Sequence, residues 1–257
     1  MNSKCLVVDI SKYQGNINFS DLAKTEIKGC IIRAGYRGYG KPGTIVTDPY
    51  FITNVNGCIN NNIPYGVYFF SQATSVEEAK EEANYTLNLL KRFKIQPLFP
   101  IYIDTEYSNN LHTGRADKLA KDDRTNIVKA FCNTIENAGY YAGIYASTSW
   151  YNNKLNDSEL INFTHWVADY RSYNGYKGNY GMWQYTSSGK LNGISGRCDL
   201  NWCYIDFPSV IKKAGLNGYN NNIKYFTFSI DKLTSGDVEK FKTLGDLLKV
   251  NYTVKEI

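Results

Sequence analysis

The stretch Leu98-Phe-Pro-Ile-Tyr-Ile-Asp104-Thr-Glu106 joins an apolar run to two acids. Leu98 to Ile103 is dominated by β-branched and aromatic residues, which predicts a short buried strand. Residues two positions apart in a strand point to the same face, so Asp104 and Glu106 should project into one site. Carboxyl groups this close disfavour joint ionisation, and burial raises the pKa of one of them. The pattern therefore favours one proton donor beside one charged carboxylate, although a lone Asp-x-Glu also fits a solvated loop.

Two further acids lie on strand-like segments elsewhere in the chain. Asp9 follows the apolar run Leu6 to Val8, and Asp199 lies within Arg197-Cys-Asp-Leu-Asn-Trp202. Other short apolar runs between them are typical of buried strands. These runs are Cys30 to Ala34, Tyr65 to Phe70, Tyr141 to Ala146, Trp166 to Ala168 and Gly181 to Tyr185.

Amphipathic segments separate most of the early strands. Ser75-Val-Glu-Glu78 is a capping box that opens one helix, and Arg115 to Ala138 has the spacing of another. Strand followed by helix, repeated to a total of eight strands, predicts an α/β fold with a parallel barrel. The later connections are short and rich in Gly, Asn and Ser, so the last strands should lack crossover helices.

Composition restricts the class of protein. The chain has 257 residues, 43% of them hydrophobic, which allows one large domain with some chain left over. The net charge of +5 is mild and not gathered into a basic stretch, so we predict no nucleic-acid partner. There is no run of about 18 apolar residues, so we predict no membrane span.

The six cysteines show neither C-x-x-C spacing nor partners for a zinc site, because the chain has only two histidines, His112 and His165. We predict no metal, and six reduced thiols of a protein folded in a reducing cytoplasm. Cysteine nucleophile chemistry stays open only if a histidine lies beside a thiol.

Seven segments, taken in order, resemble glycoside hydrolase family 25, the Chalaropsis-type lysozymes or N-acetylmuramidases. The resemblance covers about residues 4 to 208 and implies an irregular TIM-like barrel of five β/α units followed by three strands. The segments are Asp9-Ile-Ser-Lys-Tyr-Gln-Gly15, Gly66-Val-Tyr-Phe-Phe-Ser71, Ile103-Asp-Thr-Glu106, Gly143-Ile-Tyr-Ala-Ser147, Trp166-Val-Ala-Asp-Tyr170, Met182-Trp-Gln-Tyr185 and Gly193-Ile-Ser-Gly-Arg-Cys-Asp199.

Carried over by position, the resemblance makes Glu106 the catalytic acid, Asp104 its partner, and Asp9 and Asp199 flanking carboxylates. It implies hydrolysis of the β-1,4 bond between N-acetylmuramic acid and N-acetylglucosamine in peptidoglycan, with no cofactor. Asp104 would polarise the acetamido group of the substrate, while inversion through a water held by Asp9 or Asp199 stays open. We also expect aromatic residues to bind the sugars. The candidates are Tyr68, Phe70, Tyr145, Tyr170 and Trp183.

Two other functions remain as alternatives. One is an N-acetylglucosaminidase or chitinase-like hydrolase, although Tyr102 stands where chitinases of a related barrel type carry a further aspartate. The other is a wall-binding protein without activity, against which the retention of all four acids argues.

Met1-Asn-Ser-Lys4 leads directly into the first strand, so we expect no signal peptide. Synthesis in the host bacterial cytoplasm and release to the wall, as for a phage endolysin of a low-GC Gram-positive host, fits this expectation.

The end of the chain differs in pattern. We predict a catalytic barrel over residues 1–213, a Gly- and Asn-rich linker over 214–223, and a small βαβ module over 224–257. Val238, Phe241, Leu244 and Leu248 share one face of its predicted helix. So small a unit cannot bury a core alone, which predicts wall binding or a homodimer through this module.

Overall fold

The structure is a computed structural model that describes residues 4–219 and 234–240. The chain divides into two compact units, residues 1–221 and 222–257. The strands described in the first unit are β1 (Cys5–Ile10), β2 (Ile27–Arg37), β3 (Ile45–Thr47), β4 (Tyr65–Phe70), β5 (Ile101–Asp104), β6 (Ala142–Ser147), β7 (Thr164–Ala168), β8 (Met182–Gly189) and β9 (Cys198–Cys203). Its α-helices are α1 (Phe19–Leu22), α2 (Phe51–Asn60), α3 (Val76–Arg92), α4 (Lys121–Asn137), α5 (Thr148–Asn153) and α6 (Phe207–Ala214), and 3-10 turns lie at Lys12–Gln14 and Asp157–Glu159.

Eight strands close into a barrel in the order β1-β9-β8-β7-β6-β5-β4-β2, and β2 pairs with β1 to complete it. Six neighbouring pairs are parallel, namely β1–β2, β2–β4, β4–β5, β5–β6, β6–β7 and β7–β8. Strand β9 is antiparallel to both of its neighbours, β8 and β1. Helices follow the first five barrel strands, and β7, β8 and β9 follow one another without an α-helix between them. The predicted barrel of five β/α units plus three strands is confirmed.

All eight predicted strands form, and β3 is an additional strand that pairs antiparallel with β2 outside the barrel. Helix α3 begins where the capping box predicts, because the Ser75 hydroxyl accepts the Glu78 amide hydrogen at 3.2 Å. Helix α4 starts later than predicted, since residues 115–120 are held in a loop. There the Arg115 guanidinium donates to both carboxylate oxygens of Glu78 at 2.8 Å.

Strand alternation separates two apolar layers. On β1, Leu6, Val8 and Ile10 pack outward under the helices, while Val7 packs into the barrel interior. Asp9 shares the interior face with Val7, because it lies two positions along the strand. The interior layer contains Phe99, Tyr102, Tyr145, Trp166 and Met182 among its buried members. This layer fills the barrel below the acids and excludes water from beneath them.

Residues 214–219 of the predicted linker are part of the barrel unit. Asn217 is fully buried, and its amide group donates to the carbonyl oxygens of Pro97 and Phe99 at 2.9 and 3.1 Å. Its side-chain oxygen accepts the Tyr141 amide hydrogen at 2.8 Å. A buried side chain with three satisfied hydrogen bonds fixes the backbone. The predicted boundary at residue 213 is therefore too early, and the barrel fold extends to at least residue 219.

The strands of the predicted C-terminal module and residues 220–223 lie outside the described residues. In the second unit, residues 235–240 are helical, and the Thr234 hydroxyl accepts the Asp237 amide hydrogen at 3.3 Å. The sequence Thr234-Ser-Gly-Asp237 predicts a helix start at this position, and the described residues agree with it. In the described part of the chain, no helix has the length and apolar character needed to cross a membrane.

Candidate active site

Strand direction brings four acids to one end of the barrel. β1 and β5 are oriented alike in the barrel, so Asp9 near the end of β1 and Asp104 at the end of β5 share one edge. β9 runs the opposite way, so its first residues lie at that same edge, and Asp199 is the register partner of Asp9. The acids surround a small pocket of about 60 Å³. Its lining residues are Asp9, Tyr68, Asp104, Glu106, Tyr145, Trp166, Gln184 and Asp199.

Asp9 and Asp199 form a hydrogen-bonded carboxyl pair. Asp9 is buried, and its Oδ2 accepts hydrogen bonds from Asn201 Nδ2 at 2.8 Å and Gln184 Nε2 at 3.0 Å. Burial, and then the charge of Asp199, raise the pKa of Asp9 well above its ordinary value. Burial raises the pKa of Asp199 too, although its hydrogen bond with Asp9 acts in the opposite direction. The hydrogen bond between the two carboxyl groups therefore favours the proton on Asp9 and the negative charge on Asp199.

Asp104 and Glu106 form a second pair on and beyond the end of β5. Asp104 is buried, and within residues 4–219 its Oδ1 has no hydrogen-bond partner. Burial, and next the charge of Glu106, raise the pKa of Asp104 well above its ordinary value. Burial and the charge of Asp199 raise the pKa of Glu106 to about 7. Coupled groups titrate as a unit, so this pair retains one proton up to nearly neutral pH.

Arg33 supplies positive charge beside the acids and was not predicted to be a site residue. It lies on β2 with 7% of its surface exposed, and its Nε donates to Asp48 Oδ2 at 2.7 Å. Its charge lowers the pKa of Asp104 and Glu106, partly offsetting the effect of burial. The available signal was a charged residue inside the apolar run Cys30-Ile-Ile-Arg-Ala34.

Gln184 connects the acids to two tyrosines and was also not predicted. The hydroxyl groups of Tyr145 and Tyr170 each donate to Gln184 Oε1 at 2.8 Å. Its Nε2 donates to Asp9, so the orientation of the amide is set by three partners. The signal in the sequence was a polar residue within an otherwise apolar strand.

Trp166 forms the floor of the pocket. Its ring meets the edges of Tyr145, Tyr102 and Tyr68 at centroid distances of 4.5, 5.1 and 6.1 Å. Its Nε1 donates to Asn201 Oδ1 at 2.7 Å. Asn201 thus connects Trp166 in the aromatic floor to the Asp9 carboxyl group. Together with Gln184, it holds that carboxyl group in place. Neither residue was predicted to belong to the site.

The five aromatic residues predicted to bind sugars do not all line the pocket. Tyr68 and Tyr145 line the pocket. Tyr170 is not among the lining residues, but its hydroxyl donates to Gln184, which is, and 57% of its surface is exposed. Phe70 is the register partner of Asp104 but is not among the lining residues. Trp183 lies on the face of β8 opposite Gln184, and its Nε1 donates to the Asp169 carbonyl oxygen at 2.7 Å. The structure therefore does not bring Trp183 to the pocket, because strand alternation points it away.

The histidines and cysteines form no catalytic pair at this site. His165 Nδ1 is 2.9 Å from the Tyr176 hydroxyl oxygen, and His112 stacks on Tyr107 at a centroid distance of 3.6 Å. No cysteine lines the pocket. Across residues 4–219 and 234–240, no group of three or more His, Cys, Asp or Glu side chains could hold a metal ion. The arrangement is suited to proton transfer by carboxyl groups.

The sequence model of the glycosyl hydrolases family 25 matches residues 8–194. Among curated proteins, an autolytic lysozyme of Clostridium acetobutylicum is 24% identical over 195 residues, which cover 76% of this chain and 54% of that protein. The chain therefore spans about half the length of this relative. The matched family region contains three of the four acids, and Asp199 lies just beyond it.

Solved structures share the barrel. The modular autolysin LytC of Streptococcus pneumoniae, in complex with a synthetic peptidoglycan ligand, has a TM-score of 0.70 and 27% identity, covering 78% of this chain and 47% of that one. The CTP1L endolysin has a TM-score of 0.66 and 23% identity, covering 96% of this chain and 80% of that one, which shows the fold alone.

Proposed function

Because this chain belongs to the glycosyl hydrolases family 25, we propose that it is a muramidase that cleaves the β-1,4 bond between N-acetylmuramic acid and N-acetylglucosamine. The observation that carries the proposal is the pocket in which Glu106, with a pKa of about 7, faces three other carboxyl groups above an aromatic floor. The named lysozyme relative and the peptidoglycan ligand of LytC support peptidoglycan as the substrate class.

Purified peptidoglycan incubated with the protein tests this proposal. A muramidase releases soluble fragments and creates new reducing ends in proportion to enzyme concentration. A wall-binding protein without activity sediments with the peptidoglycan but creates no reducing ends, and that result would support the alternative.

Glu106 supplies the proton for bond cleavage. Its carboxylic acid donates to the glycosidic oxygen while the bond from that oxygen to C1 of N-acetylmuramic acid breaks. General acid catalysis of this kind contributes about 10²–10⁴-fold to the rate. The acid must hold its proton at the working pH, and burial in this pocket provides the raised pKa that this requires.

Asp104 positions the acetamido group of the substrate. Its buried, unpartnered Oδ1 can accept the acetamido N–H hydrogen bond, which orients the amide oxygen for attack on C1. An oxazolinium ion then forms, and water opens it with help from the Glu106 carboxylate, giving retention of configuration. Inversion through a water held by Asp9 or Asp199 is the competing route. Proton NMR of the first-formed anomer separates the two, since only retention gives the β-anomer.

The rate should fall on the alkaline side of neutrality. Only protonated Glu106 can act as the acid, so kcat/KM should decrease about tenfold for each pH unit above a pKa of about 7. The measurement is kcat/KM on soluble peptidoglycan fragments over a pH series at constant ionic strength. A rate that kept rising through pH 9 would show that the protonated carboxyl is not required.

The C-terminal unit is proposed to serve targeting or dimerisation on Gram-positive walls, reached after release from the host cytoplasm. All four acids lie before residue 200, and the barrel unit ends at residue 221. A variant ending at residue 221 keeps α6 and the buried Asn217, so its barrel should stay intact. We expect it to hydrolyse soluble fragments within about twofold of the full-length rate and to bind intact cells at least tenfold more weakly, or to become monomeric.

Cell-pelleting assays and sedimentation velocity measure binding and mass for this truncated variant. Loss of activity on soluble fragments, with an unchanged circular dichroism spectrum, would show that the C-terminal unit takes part in catalysis. Unchanged binding and unchanged mass would remove both proposed roles.

A further inference from the structure

Two cysteines face each other at the end of the barrel away from the acids. Cys5 begins β1, Cys203 ends β9, and the two are register partners in this antiparallel pair. They are roughly 200 positions apart in the chain, so their spacing gave no indication of the contact. Directly opposed residues in antiparallel strands have Cα atoms about 4.5–5.5 Å apart, which lies within the range of disulfide bridges.

A cavity gives small molecules access to this pair. It has a volume of about 320 Å³, and both cysteines line it. Cys5 is half-buried, whereas Cys203 has 1% of its surface exposed. The cavity is also lined by Lys28, Phe99, Tyr204, Ile205, Asp206 and Pro208.

The two thiols differ in their hydrogen bonds. The Cys203 thiol lies 3.2 Å from the Ile205 carbonyl oxygen and within hydrogen-bond reach of the Cys5 sulfur, and its single proton can be donated to either. A hydrogen bond from Cys203 lowers the pKa of Cys5 to about 7, with burial acting against it. The same hydrogen bond and burial raise the pKa of Cys203. Of the two charged residues in the cavity, Asp206 raises the pKa of Cys5 and Lys28 lowers it by less. Cys5 is therefore the more nucleophilic thiol, because thiolates are the attacking species.

We propose that Cys5 and Cys203 form a redox-active dithiol, which a small-molecule disulfide such as oxidised glutathione converts reversibly into a bridge between β1 and β9. The Cys5 thiolate attacks one sulfur of the glutathione disulfide, forming a mixed disulfide and releasing one glutathione thiolate. The Cys203 sulfur, on losing its proton, attacks Cys5 and releases the second glutathione. The protein loses two electrons and two protons, and one glutathione disulfide becomes two thiols.

A second pair of neighbouring cysteines provides a control for the effect of access to the thiols. Cys30 on β2 and Cys58 on α2 are also neighbouring thiols, but both are fully buried under the helices. Burial raises the pKa of Cys30 well above its ordinary value, which leaves it protonated. Neighbouring thiols without access should stay reduced in the folded protein. The role assigned to Cys5 and Cys203 is independent of the proposed hydrolysis of peptidoglycan.

Peptide mapping of the full-length protein tests the proposal. The reduced, folded protein is incubated with excess oxidised glutathione, alkylated, digested without reduction and measured by mass spectrometry. We expect one cross-linked peptide joining Cys5 to Cys203, with the six free thiols of the reduced protein falling to four. Retention of all six thiols, or a bridge between Cys30 and Cys58 instead, would overturn it.

Two variants separate the steps of the exchange, and a third serves as the control. Cys203→Ala should accumulate a glutathione adduct on Cys5, because no thiol remains to resolve it. Cys5→Ser should acquire no adduct on Cys203, whereas Cys58→Ala should form the bridge as wild type does. Adducts on Cys203 in the Cys5→Ser variant would contradict the assigned order. Peptide mapping of wild type decides the proposal even if a variant does not fold.

Bridging should stabilise the barrel without changing its chemistry. A link that closes a loop of roughly 200 residues restricts the unfolded chain, so we expect the oxidised protein to melt about 10 °C above the reduced one. The rise should be absent in Cys5→Ser. Hydrolysis at 25 °C should change less than twofold, since the acids lie at the opposite end. A melting temperature that fell on oxidation would show that the bridge does not fit the native register.

Discussion

Glu106→Gln should lower the turnover of peptidoglycan by about 10²–10⁴-fold while leaving the fold intact. The amide fills the same volume as the carboxylic acid but cannot transfer a proton to the glycosidic oxygen. Initial rates of reducing-end release at about pH 6 measure the loss, because wild-type Glu106 is then largely protonated. Substrate affinity should change little, so the effect should appear in kcat. Near-wild-type turnover by this variant would refute the assignment of the acid.

The same variant should be more stable than wild type at alkaline pH. The pKa of Glu106 rises from 4.5 in the unfolded chain to about 7 in the folded protein, so its stabilising contribution is complete below the unfolded pKa. That contribution disappears as the pH rises through the folded pKa, and the shift corresponds to roughly 3 kcal/mol. Glutamine does not ionise, so the stability difference should grow from near zero at about pH 4 to as much as 3 kcal/mol at about pH 8. Urea unfolding at both pH values measures it, and also shows that lost activity is not lost folding.

Asp104→Asn should lower turnover by about 10²–10³-fold, since a neutral amide stabilises the developing oxazolinium charge poorly. Its amide group would also place a donor where the buried Oδ1 is expected to accept the substrate N–H. The two carboxyl groups are coupled, since the charge of Glu106 raises the pKa of Asp104, so loss of the Asp104 charge should move the alkaline limb of the pH profile to lower pH. Turnover and pH profile on soluble fragments measure both effects.

Asp9→Asn and Asp199→Asn are the matched controls for Asp104→Asn. Burial raises the pKa of Asp9 well above its ordinary value and its Oδ2 accepts two amide hydrogen bonds, so its replacement by a neutral amide should disturb the site less than the loss of Asp104. A mild Asp104→Asn variant beside inactive Asp9→Asn or Asp199→Asn variants would favour the inverting route through a held water.

The barrel was predictable because its strands carry a local signal. Short apolar runs separated by amphipathic helices occur in order along the first 203 residues, and each run predicted for the barrel forms a strand. The four acids were predictable for the same reason, since each stands at or near a strand terminus. The position of Trp183 was not, because an aromatic residue in a strand fits either face until the register is known.

Arg33 and Gln184 stand out locally only as polar residues in apolar runs, and their partners in the site, like those of Asn201, are not visible in any local pattern. Gln184 and Asp9 are 175 positions apart, and Asn201 and Asp9 are 192 positions apart. The first residues of the predicted linker also belong to the barrel, since Asn217 is held by carbonyl groups about 120 positions earlier in the chain. Gly- and Asn-rich composition predicts irregular backbone but does not distinguish a packed loop from a free linker.

The identity of the sugar at the new reducing end tests the central claim most directly. Peptidoglycan digested by the full-length protein is reduced with borohydride, hydrolysed to its sugars and measured by mass spectrometry. We expect the alditol of N-acetylmuramic acid, appearing in step with soluble fragments and absent from a Glu106→Gln digest. The alditol of N-acetylglucosamine in its place would contradict the claim and identify a glucosaminidase.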